Sequence, residues 1–220
     1  MTTPHLLNLM LHVGAGLAAM ALGCYVLGTR KGRDLHRRAG RIFAALTLLV
    51  CASAAAGLAL FRFMPLFAVL TVLVAYQLLG GWHVVHTRGA GPDALDGLLL
   101  LGGAVAAAWL VPQLFGPAAP RDAAGIVVRA SLGAMLALLA YDAARWLFPR
   151  RWHAALWRYE HGYKLVAALF AMLSAAIGNT VRVGQPWSQL APSVAGLAVI
   201  GWFWARRWRA RKDTRARRFG

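Results

Sequence analysis

A chain of 220 residues that is 60% apolar and only 14% charged has too few polar side chains to coat a soluble globule of its size. Its net charge of +17 would suit nucleic acid, but Lys and Arg fall between long apolar runs instead of forming a stripe with interleaved aromatics. That distribution sets nucleic acid aside as a partner and predicts a membrane protein whose basic loops face anionic lipid headgroups.

Crossing ~30 Å of hydrocarbon takes about 20 mostly apolar helical residues, and backbone polar groups in lipid leave an isolated span no alternative to the helix. Taken in chain order, residues 6–28, 42–61, 64–86, 97–115, 123–148, 161–181 and 190–205 meet that length. The fold class is therefore an all-α bundle of about seven spans, a single domain over 1–205 followed by a basic tail over 206–220. Met1–Met10 carries no Lys or Arg, so the first run is expected to remain as a span rather than be cleaved as a signal peptide. Between the first two spans lie Arg30, Lys31, Arg33, Arg37, Arg38 and Arg41. The fifth connection adds Arg150, Arg151, Arg158 and Lys164, and the tail is basic from Arg206 to Arg218. The alternate connections hold only Arg62, Arg121 and Arg182, so the positive-inside rule predicts an outside N-terminus and a cytoplasmic C-terminus. Pro112 is expected to kink or end the fourth helix, and Trp202, Trp204 and Trp208 to anchor the seventh at the interface. The tail is expected to be disordered or to lie on anionic lipid. Cys24 and Cys51 sit in apolar runs without CxxC spacing and read as packing residues.

The histidines carry the most chemical information, because a titratable group in or beside lipid is costly to keep. His36, His83, His86, His153 and His161 map to the inner helix ends, and His5 and His12 to the outer half of the first span. His83 and His86 share a face of the third span, where Gly80, one turn before His83, leaves room for a flat ligand such as haem. His161 opens the sixth span beside Glu160, a carboxylate able to orient an imidazole. Asn179 lies on the same stripe at the far depth, where it would join Asn8 and His12 in an outer site. His12 and His36 each precede a glycine by four residues, Gly16 and Gly40. Asp142 and Arg145, three apart near the inner end of the fifth span, are expected to pair, with Asp142 alternatively reaching the histidines. Interfacial snorkelling and interhelical hydrogen bonds of ~0.6 kcal/mol explain the same residues without any cofactor. No Walker loop, G-x-S-x-G or H-E-x-x-H is present.

His12 with Gly16, the basic loop Lys31–Phe43 reading KGRDLHRRAGRIF, and the stretch Trp157–Asn179 together resemble an uncharacterised family of bacterial multi-span membrane proteins, a domain of unknown function. The resemblance covers residues 9–180. It implies a helical membrane fold and draws attention to His12, His36 and His161, without bringing an activity; those three histidines are the expected candidates for a metal, and the expected location is the bacterial inner membrane, as a multi-pass protein. The leading functional expectation is a redox protein in which His83 or His86 joins His161 on one haem b or transition-metal ion, with Glu160, Asn179 and Asp142 supporting. The alternatives are a transporter or proton-coupled carrier, and a non-catalytic scaffold or assembly factor.

Overall fold

The computed structural model describes residues 2–116 and 122–219, with side chains described through residue 209. It contains α1 (Thr3–Gly28), α2 (Asp34–Leu60), α3 (Pro65–Thr87), α4 (Ala94–Phe115), α5 (Ala123–Arg145), α6 (Arg150–Thr180) and α7 (Trp187–Phe219), with no strand among the described residues. The first six are long and apolar enough to cross a membrane. Arg121, expected in an outer connection, lies outside the described residues.

Two ends of the bundle can be told apart by what meets there. The turns 29–33, 88–93 and 146–149 mark a basic end, where Lys31 lies over the Phe203 ring and Trp204 packs against Tyr159. The turns at 61–64 and 181–186 mark the opposite end, where His5 stacks on Phe61 and the Gln189 side chain presses on Gly178. Helix α7 thus runs beside α6 from the opposite end to the basic end, which sets the C-terminal tail on the same side as the first basic loop.

Helix α3 occupies the middle and touches α2, α4, α5 and α6. On one side Val74 and Leu78 join Ala19, Phe43 and Leu169 in a core shared with α1, α2 and α6. On the other, Val69, Leu73 and Tyr76 join Leu110, Leu132 and Met135 in a core shared with α4 and α5. Small residues let the helices approach, as lipid-embedded packing requires. A Cβ on Gly103 would stand 2.8 Å from the Leu139 side chain, and one on Gly23 2.7 Å from that of Leu169.

The polarity of this bundle is inverted relative to a soluble protein. Leu98, Leu101, Val105, Trp109 and Leu197 are exposed, whereas Arg145 and Lys164, each 1% exposed, are the largest fully buried side chains. Water would penalise both choices, and hydrocarbon around the bundle reverses the first.

Three expectations need correction. Helix α2 begins at Asp34 and α6 at Arg150, well before the predicted 42 and 161, because hydropathy marks only the lipid-embedded part and the Ala- and Arg-rich flanks continue as good helix formers. The tail is not disordered: α7 extends to Phe219, since elongating an existing helix needs no new nucleus. Lys164 is not a loop residue but a buried one. Pro112 falls three residues before the end of α4 at Phe115, consistent with its expected role as a terminator.

Candidate functional site

Five ionisable side chains from three helices meet between α3, α4, α5 and α6 near the basic end. Lys164 Nζ donates to both oxygens of Asp142 at 2.8 Å, and Tyr76 Oη donates to Asp142 Oδ2 at 2.6 Å. Arg145 Nη1 lies 3.2 Å from Asp96 Oδ1 and 3.6 Å from Asp142 Oδ1. Its Nε is 3.1 Å from Glu160 Oε1 without aiming its N–H there, and Tyr141 Oη donates to the same oxygen at 2.7 Å. Asp96, Asp142, Arg145, Glu160 and Lys164 are all buried. Close by, the ring of Tyr163 packs edge-on against Tyr141 while its buried hydroxyl has no partner.

Local sequence explains why Lys164 can be there. Gly80 and Gly81 strip two side chains from the α3 face opposite it, so that a Cβ on Gly80 would sit 3.1 Å from Lys164 Nζ and one on Gly81 2.9 Å from Lys164 Cβ. The Tyr76 ring then lies 5.8 Å beneath the ammonium. The expected slot for a flat ligand beside Gly80 is therefore filled by the lysine itself.

A short polar path joins this network to the surface. His83 Nε2 is 2.9 Å from Asp93 Oδ1 and 3.7 Å from Asp96 Oδ2. Asp93 caps α4, accepting from the backbone N–H of Leu95 and Asp96, while Asp96 accepts from the Asp93 N–H in return. Burial, the largest single influence, pushes the Asp93 carboxyl up, but the His83 contact and the capping N–H groups together outweigh it and hold the carboxyl below its ordinary value.

The predicted imidazole pairing meets a geometric obstacle. His161 Nδ1 donates to the Gly81 carbonyl at 2.8 Å, so it does lie at the depth of α3's inner end. At about 100° per residue, however, His83 is about 160° and His86 about 140° around α3 from Gly81. His83 turns to α4 instead, and His86, exposed, lies 3.3 Å from the Trp82 carbonyl. Glu160 is likewise committed to Arg145 and Tyr141 and does not orient His161.

What lies near His161 is the first basic loop, with Lys31 and His36 close enough to act on it or be acted on electrostatically. His36 Nδ1 meets Thr29 Oγ1 at 3.1 Å, and that hydroxyl also contacts the Val26 carbonyl. His161, facing a carbonyl, is the donor through Nδ1, whereas the donor between Thr29 and His36 is set by the His36 tautomer. His12 makes a similar contact: its Nδ1 meets Ser53 Oγ at 2.9 Å, and that hydroxyl also lies 2.9 Å from the Val50 carbonyl. Asn8 donates to the Ser53 carbonyl, whereas Asn179 turns back to the Ala175 carbonyl on its own helix. The predicted outer trio is thus divided between an α1–α2 contact and a self-bonded asparagine. His153 is buried against Gly91 and Phe148 with Nδ1 unpartnered.

Fold and site together define a multi-pass helical membrane protein with an ion-pair network in its core. No family profile, curated protein or solved structure matches the chain.

Proposed function

We propose that the protein is a proton-linked membrane carrier whose proton-sensitive element is the Asp142–Lys164 ion pair. The observation that supports it is the commitment of Lys164 and Arg145, both 1% exposed, to three carboxylates on α4, α5 and α6. Ionisable groups at membrane depth mark ion and substrate pathways. Protonating Asp142 would strip Lys164 of its counter-charge, and a buried unpaired charge costs several kcal/mol. Separation of α6 from α5 relieves that cost, so proton arrival and helix movement are coupled. Access is from the basic end, through Asp93 and His83 to Asp96.

The test is proton uptake into vesicles carrying the full chain and an entrapped pH dye, driven by a potassium diffusion potential. Wild type should acidify the lumen faster than protein-free vesicles, and the double variant Asp142→Asn with Lys164→Met should not. Equal rates in wild type and the double variant, or none above empty vesicles, sink the reading. A haem Soret band in the purified protein that disappears in His36→Ala or His161→Ala would instead favour the redox alternative, with those two imidazoles as ligands.

The basic end is proposed to be cytoplasmic, which gives an outside N-terminus and seven spans in a bacterial inner membrane, with the tail held against anionic headgroups. A reporter active only in the cytoplasm should give signal when fused to Gly220. Silence from a well-expressed fusion reverses the orientation.

A further inference from the structure

We propose that His83, Asp93 and Asp96 form a site for one divalent transition-metal ion of the zinc class, at the mouth of the buried network. One ligand atom from each residue, all within 4.8 Å of one another, is already gathered there. His83 Nε2 is 2.9 Å from Asp93 Oδ1 and 3.7 Å from Asp96 Oδ2. An ion about 2.1 Å from nitrogen and oxygen ligands holds neighbouring donors about 3.0–3.4 Å apart; both His83–carboxylate distances lie within a few tenths of an ångström of that, and the two carboxylates, within 4.8 Å of each other, would close around the ion.

The ligands are also held in place by their neighbours. The reciprocal cap at the start of α4 fixes both carboxylates through the oxygens that face His83, and Arg145 grips the Asp96 oxygen that faces away from it. Outer contacts of this kind orient metal ligands. Asp93, with its side chain 47% exposed, leaves the site open to solvent for entry and for further water ligands.

Charge gives an independent argument. Asp93, Asp96, Asp142 and Glu160 form one connected group with Arg145 and Lys164, in which the four carboxylates outnumber the two permanent cations by two. A dication cancels that excess. One imidazole with two carboxylates suits Zn²⁺, Co²⁺ or Mn²⁺, whereas Ca²⁺ would want six or more oxygens.

The inference does not rest on carrier activity, because binding is read on the detergent-purified full chain. Titration with Co²⁺ should produce a saturable visible absorption at one ion per chain, displaced by Zn²⁺. His83→Gln should weaken binding by more than the about 10–100-fold that loss of an outer contact causes. His86→Gln, one turn away and exposed, should leave it intact. No saturable binding by wild type, or equal binding by His83→Gln, overturns the site, and so does loss in His86→Gln with retention in His83→Gln.

Discussion

Lys164→Met should lower stability by about 3–5 kcal/mol, the range found when one partner of a buried pair is removed and the other is left charged. Asp142 would keep Tyr76 and a distant Arg145 contact of 3.6 Å but lose both 2.8 Å bonds to Nζ. Adding Asp142→Asn removes the stranded charge and should recover most of the loss, because a neutral replacement of a whole buried pair is often harmless. Denaturant titration of helicity in detergent measures both variants. A double variant no more stable than Lys164→Met would mean the lysine acts through packing in the Gly80–Gly81 notch rather than through its charge.

Gly81→Val is the second large effect. Its first added carbon would stand 2.9 Å from Lys164 Cβ, which is fixed to the α6 backbone and cannot swing clear, and 3.0 Å from the Leu165 Cδ2 methyl. Overpacking of this sort costs about 1–3 kcal/mol. It also pushes α3 from α6, which breaks the hydrogen bond from His161 to the Gly81 carbonyl. Gly102→Val, where a Cβ would meet nothing within 4 Å, is the matched control and should be close to neutral in the same titration. Equal losses in the two variants would show that valine in a helix, and not the α3–α6 approach, sets the cost.

The helices were legible because each is an apolar run of spanning length, and that signal is local. The ion-pair network was not, because its partners are brought together from separate helices. Lys164 follows the predicted start of the sixth span by three residues and was counted with the loop. Only Tyr76, Asp142 and the two glycines of α3 reveal it as interior. A usable signal was present in the spacing: Asp142 with Arg145 and Glu160 with Lys164 put opposite charges at i,i+3 and i,i+4 on consecutive helices. The Asp142–Arg145 pair was anticipated on that basis. Face assignment failed for His83 and His161 because depth along a helix says nothing about rotation around it, and Gly81 lies almost opposite His83 on α3.

The ion pairs that link α5 to α6 have a consequence for how this protein enters the bilayer. Arg145 and Lys164 find Asp142 and Glu160 within these two consecutive helices, so their buried charges cancel without a charge from any other part of the chain. A basic residue alone near the centre of a helix costs about 2.5–3.5 kcal/mol to insert. Emerging from the ribosome as a self-neutralised pair, α5 and α6 can partition into lipid together, and α3 and α4, inserted earlier, then supply Tyr76 and Asp96 as the bundle closes.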